Sequence, residues 1–322
     1  MRALLRALSA CLLVFAGGSA LGPAAAERLT VSQYGILLNT LPYAVALEKG
    51  FFKEEGLAID GIIASHGGGT SVRNMLASDL PVAEMALPAA IAAAKQGIEV
   101  RIIGDNANTI GELVWVSKKD SPVKTIADLK GRKAAFTSPR GVTEIIIKTV
   151  LKRHGILEQS QTIAAGGIGA AVTALNQGAV DAATLVDPVL TKTGHNYQIV
   201  FYAAKELPNL SWAMFVTTAA YLAANEDKVR KIVRARAKAV DFIYANRGET
   251  AKIYAKHWNL NEADAAAMLP KFYDIKFWKR GEFNPKGFET MLEGMELVGE
   301  LEKGYDIKKL LDDRFQALVK EK

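Results

Sequence analysis

Three consecutive glycines, Gly67 to Gly69, run into Thr70 and Ser71 and then into a helical pattern, in the stretch ASHGGGTSVRNMLASD. Glycines at such a place let the backbone approach a bound group closely, and free N–H groups at a helix start attract negative or polar atoms. A nucleotide phosphate cradle needs a Gly-Lys-Ser/Thr helix start, and no lysine follows these glycines. A dinucleotide fingerprint spreads its glycines as G-x-G-x-x-G, which three in a row do not satisfy. Two readings remain: a ligand-gripping loop capped by Thr70 or Ser71, or a flexible strand-to-helix turn.

A second stretch of the same kind is FTSPRGVTEII, Phe136 to Ile146, which leaves a strand and enters a helix through Ser138, Pro139, Arg140 and Gly141. Gly141, Val142 and Thr143 would offer helix-start N–H groups, and Arg140 a fork of donors for a carboxylate or sulfonate. The plainer alternative leaves Arg140 as a solvated turn residue. Two polar helix starts in separate strand–helix units of the chain suggest a ligand held between two lobes.

Residues for catalysis are sparse. His66, His154, His195 and His257 fall at no spacing used by helical metal motifs, and no G-x-S-x-G elbow is present. His66, beside the glycines, is kept as a ligand contact. Cys11 is the only cysteine, and it lies in a segment expected to be removed. Neither a thiolate metal site nor a thiol nucleophile is then available, and no metal or cofactor is expected.

That segment is the first 26 residues. Arg2 and Arg6 precede the short apolar run LSACLLVFA, and Ala24-Ala25-Ala26 form a small-residue cleavage site before Glu27. The run is too short for a bilayer, which needs about 20 apolar residues. LSAC resembles a lipobox, but too little apolar sequence precedes it, so lipidation at Cys11 is disfavoured. The expected product is an exported chain beginning at Glu27, without disulfides, held by its core alone.

The 322-residue chain is 50% hydrophobic and 23% charged, enough for one large core or two moderate ones. Its net charge of +6 drops to +4 with the loss of Arg2 and Arg6. The densest basic run, KVRKIVRARAK, spaces Val229, Ile232, Val233, Ala237 and Val240 as an apolar helical stripe, so its cations are read as a solvated face. With no aromatic residues among those charges, nucleic-acid binding is excluded.

Strands and helices alternate from Arg28 to about Thr218, with short apolar strands such as LAIDGIIAS, VRIIGDNA, KAAFTS and AATLVD. Beyond Thr218 the pattern is helical. Alternation of this rhythm predicts mainly parallel sheets covered by helices, an α/β class. No internal repeat stands out.

The blocks LPYAVALEKGFFKEEGLAID, GGGTSVRNMLASDLPVAEMALPAAIAAAKQG, TIADLKGRKAAFTSPRGV and ALNQGAVDAATLVDPV, in that order, resemble the periplasmic substrate-binding proteins of ABC importers. The nearest branch is that of the nitrate, sulfonate, taurine and thiamine-precursor binders, the NMT1/THI5-like group. The resemblance implies a two-lobed type II periplasmic binding fold with two crossover strands, placed at ELVWVSK and WAMFVTT. Residues 27–117 and 211–322 would form lobe 1, and 118–210 lobe 2. It implies a ligand site at Tyr34 with Asn39, Gly68 with Thr70 and Ser71, Leu87 with Pro88, Ser138 to Thr143, and Asp187 with Pro188. Trp115 and Trp212 would wall the cleft or pack the hinge, and Asp187 would pair with a ligand amine or cap a turn.

The function implied is capture of a small anionic or heteroaromatic ligand for a membrane permease, by a monomer that is not an enzyme. A ligand sensor of the same fold is the alternative. A pyrimidine-forming enzyme branch of the fold looks for a cysteine-rich stretch that this chain lacks.

Overall fold

The computed structural model describes residues 27–187 and 189–320, so the cleavage segment and Pro188 lie outside the described residues. The chain opens with β1 (Glu27–Ser32), α1 (Leu41–Glu48), β2 (Ile59–Ser65), α2 (Gly68–Ala77), β3 (Val82–Ala86), α3 (Leu87–Lys95) and β4 (Val100–Asp105). There follow β5 (Leu113–Lys118), β6 (Lys133–Phe136), α4 (Val142–Arg153), β7 (Gln161–Ala164), α5 (Ile168–Asn176), β8 (Ala182–Val186) and β9 (Tyr197–Tyr202). After β10 (Ala213–Thr218) come α6 (Ala219–Ala245), α7 (Arg247–Trp258) and α8 (Pro285–Leu297), with short helical turns between them.

Two five-stranded mixed sheets result, ordered β2-β1-β3-β10-β4 and β7-β6-β8-β5-β9. In each, the crossing strand is antiparallel to both neighbours, β10 between β3 and β4 and β5 between β8 and β9. The remaining neighbours pair in parallel. The near-continuous apolar runs of β8 and β10 fit this burial on two faces.

The structure corrects two expectations and adds a repeat of architecture. The crossing strand ELVWVSK was placed at the end of lobe 1, but all of β5 pairs within the second sheet. The chain therefore crosses before Leu113, in the segment following Asp105, and the second lobe opens there rather than at Lys118. The two sheets also share one strand order, a repeat of architecture that the sequence alone does not display. Lastly, the basic run on α6 is not wholly solvated. Arg236 is 1% exposed, because residues 229, 232, 233, 236 and 240 form one helical stripe and the arginine occupies an inward place on it.

The C-terminal elements tie the lobes together. Leu311 bridges to Ile102 at the edge of the first sheet, whereas α8 lies against α4 of the second lobe. Gly294 makes that docking possible, since a Cβ there would sit 2.4 Å from Ile145.

Candidate ligand-binding cleft

Between the sheets lies a cleft of about 460 Å³, with walls drawn from both lobes. That volume suits a small organic ligand, since such sites commonly hold roughly 300–1,000 Å³. Of the residues singled out from sequence, Asn39, Gly68, Pro88, Trp212, Ser138, Arg140, Gly141, Val142 and Thr143 line it together.

The glycine stretch reaches the cleft through backbone. Gly67 precedes α2 at φ 155°, a conformation that side chains rarely adopt, and a Cβ on Gly68 would meet the Cβ of Ala89 at 2.6 Å. The helix begins at Gly68, ahead of the hydroxyls, so neither Thr70 nor Ser71 caps it. Ser71 is buried, bonded to Ser65 Oγ at 2.7 Å and to the Gly67 carbonyl at 2.9 Å, and Thr70 accepts from Arg73. The first amides of α2 stay without intrahelical partners, as at any helix start.

Across the cleft, α4 begins at Val142 after a tight turn in which the Gly141 N–H donates to the Ser138 carbonyl at 3.2 Å. Thr143 Oγ1 accepts from the Thr137 amide at 3.0 Å and shares a 2.7 Å hydrogen bond with the Thr137 hydroxyl, which holds the loop against the helix. Arg140 adopts a left-handed φ of 63°, and its side chain is 77% exposed at the cleft mouth. Its Nε lies 2.9 Å from a carboxylate oxygen of Glu300, whose carbonyl accepts from Lys95 of α3. The Arg140 guanidinium thus spans from the second lobe to a residue anchored on the first.

The other sequence candidates lie elsewhere. Trp115 is fully buried, stacked on Phe201 at 5.0 Å and 6°, and its Nε1 donates to the Ala135 carbonyl, so it is sheet core and not cleft wall. Tyr34 turns away to hydrogen-bond His257 Nδ1 at 2.8 Å and to pack on Trp258. Burial, then the Glu48 charge, raises its hydroxyl pKa. His66 is exposed beside the cleft and outside its lining. Leu87 is buried, and its amide donates to the Trp212 carbonyl, so it positions that tryptophan. Asp187 is buried, bonded to the amide and hydroxyl of Thr191 and paired with Lys271, which leaves it a turn cap and ion-pair partner.

Among the lining residues that escaped the sequence reading are two buried acids, Glu84 on β3 and Glu112 just before β5, each 1% exposed. Glu84 accepts from Tyr43 Oη at 2.9 Å, from Asn106 Nδ2 at 2.5 Å and from the Asn39 amide, with Arg236 Nε at 3.9 Å. Burial raises its pKa, while Arg236 and the three donors pull it back down. Glu112 accepts from the backbone amides of Leu38, at 2.5 Å, and Asn39, at 3.4 Å. Burial pushes its carboxyl up to about 8, against those amides, with the charges of Asp187 and Glu84 adding to the rise. Glu84 is a lone acid in an apolar run, VAEMA, and that interruption was the available signal.

Among the described residues no group of three or more His, Cys, Asp or Glu could hold a metal ion, and no helix is long and apolar enough to cross a membrane.

Fold and cleft together define a two-lobed periplasmic binding protein architecture. The profile of the family described as NMT1/THI5 like matches residues 38–250, and the chain belongs to that family. Comparison with curated proteins finds no match. Among solved structures, the periplasmic aliphatic sulphonate binding protein SsuA from Escherichia coli is similar at a TM-score of 0.73 and 17% identity, over 88% of this chain and 91% of that one. The periplasmic nitrate-binding protein NrtA from Synechocystis PCC 6803 gives 0.66 and 14%, over 91% and 87%. The desulfurization enzyme DSZB gives 0.63 and 13%, over 90% and 98%. At these identities the likeness is one of fold, and most such neighbours are binding proteins.

Proposed function

We propose that the mature protein is an exported solute-binding protein that captures a small polar ligand between its lobes and hands it to the membrane permease of an ABC importer. The observation that carries this reading is the cleft itself, where the starts of α2 and α4, one from each lobe, face a single cavity. Only a form with both lobes near the ligand lets both helix starts touch it, so binding favours closure about the crossing segments. Family membership and the sulphonate- and nitrate-binding neighbours support transport over catalysis.

The cleft offers no nucleophile–base pair. Its histidine candidate lies outside the lining, and its two buried carboxyls accept from backbone amides and from the side chains of Asn39, Tyr43 and Asn106, not from a histidine. Deleting the chain and measuring uptake of a ligand found by thermal-shift screening tests the assignment. Lost uptake supports it, whereas unchanged uptake with a lost signalling response would point to a sensor. Turnover of any bound compound would establish an enzyme. Export is tested by intact mass, expected to match a chain starting at Glu27 and contradicted by a lipid-modified Cys11.

A further inference from the structure

The chemistry of the cleft is unequal from end to end. At the first-lobe end stand two buried carboxyls, which accept only from protein amides and the Tyr43 hydroxyl, and one amide oxygen that has no donor among the described residues. Asn39 is 3% exposed, and its amide nitrogen is engaged by Glu84, while its Oδ1 has no donor among the described residues. Glu112 lines the same wall, held by two backbone amides, with no cation within ion-pairing distance among the described residues. Glu84 also reaches the cleft, and Arg236, which balances it, is not a lining residue. A group entering here meets carboxyl oxygens and an orphaned amide oxygen.

We infer that this end is a subsite for a positively charged, N–H-donating group of the ligand, an ammonium or amidinium held by Glu112 and by Asn39 Oδ1. The inference rests on the capture reading above and narrows it. An ammonium or amidinium supplies several donors and no acceptor, which matches what the wall lacks. It would also return to Glu112 the counter-charge that burial has denied it, consistent with the elevated pKa of that carboxyl. A nitrate or sulfonate at the same place would face two carboxyl groups and leave the Asn39 oxygen unsatisfied. Donors for an anionic or carbonyl end are the amides at the start of α4 in the second lobe and those at the start of α2.

The test is calorimetric titration of the mature protein with benzamidinium, benzylammonium, benzoate and benzenesulfonate, which share a ring and differ in the polar group. It is repeated on Glu112→Gln, which keeps the acceptor for the Leu38 amide and removes the charge, with a melting curve to verify folding. The cationic pair should bind the native protein more tightly than the anionic pair. In the variant their dissociation constants should rise tenfold or more while those of the anions hold or improve. Anions binding more tightly, or cation affinity within twofold in the folded variant, would overturn the subsite and leave the capture reading standing. Binding by none of the four overturns the subsite. Extending the screen to nitrate, alkanesulfonates and carboxylates without any binding would count against the capture reading as well.

Discussion

Glu84 in the first sheet and Thr184 in the second stand at matching points of one strand order. Glu84 on β3 faces Phe215 of the crossing strand β10, and Thr184 on β8 faces Trp115 of the crossing strand β5, each beside a register shift. The helix starts match too. Gly67 before α2 and Gly167 before α5 share φ 155°, and where the first lobe then has Gly68 the second has Ile168. Around Glu84 gathers a buried network of Tyr43, Asn39, Asn106 and Arg236. Around Trp115 there is apolar packing on Phe201, and Thr184 Oγ1 has no partner among the described residues. The difference teaches where the proposed subsite can be lodged: the same frame carries a buried polar network in one lobe and an apolar core in the other. The second lobe adds helix-start amides and an exposed arginine at the rim.

The largest effect that could break this contrast is at Arg236. Arg236→Met leaves Glu84 buried without its cation, and breaking such a pair costs about 3–5 kcal/mol. Thr184→Val, at the matching point in the second lobe, should change stability by less than about 1 kcal/mol, since it removes a hydroxyl that is already unpartnered. Denaturant unfolding of both variants gives the comparison, and equal losses would erase it.

Next comes the pH dependence set by Glu112. Its folded pKa, about 8, is raised above an ordinary value of 4.5, so its contribution is fully present below about pH 4.5 and is lost as pH rises through 8. Glu112→Gln should flatten the fall of stability between pH 5 and 8 and make the variant more stable than the native protein above that range, by an amount on the order of a few kcal/mol. Part of the slope should persist, because Glu84 is raised as well. Melting temperatures across that pH range with an unchanged slope would show Glu112 to be ionised throughout.

A smaller effect is expected at Gly68. Gly68→Ala sets a Cβ 2.6 Å from that of Ala89, an overpacking of about 1–3 kcal/mol, whereas Gly169→Ala in α5 meets nothing within 4 Å and should be neutral or slightly stabilising. Thermal melts of the two variants sharpen the contrast between the helix starts.

Smallest in stability is Arg140→Ala. Its pair with Glu300 is exposed on the arginine side, and such pairs are worth about 0–1 kcal/mol. If the guanidinium instead grips the ligand's anionic end, affinity should drop roughly tenfold with the melting curve almost unmoved.

Much of this was legible in the sequence. The alternation of elements, the two helix starts and the helical C-terminal third all follow from apolar periodicity and glycine placement. The second lobe's boundary did not, because β5 and β10 are both short apolar runs and only pairing reveals which sheet owns each. Nor did Trp115, since an aromatic in a strand reads alike as wall or core until its neighbour Phe201 is known. The acid floor was hardest. Glu84 interrupts a five-residue strand, and its partners come from residues 39, 43, 106 and 236, so their convergence exists only in three dimensions. Two traces were there to read, the acid interrupting VAEMA and the place of Arg236 on the α6 stripe.

The account's central claim is that one ligand occupies the cleft between the lobes. Val142 lies in the first turn of α4 on the cleft wall and is only partly buried, so Val142→Trp should fill the cavity without disturbing the core. A compound that stabilises the native protein by about 2.7 kcal/mol at 100 times its dissociation constant is titrated into native and Val142→Trp proteins of equal melting temperature. The account expects binding to the native protein and none to the variant; undiminished binding to the variant would contradict it.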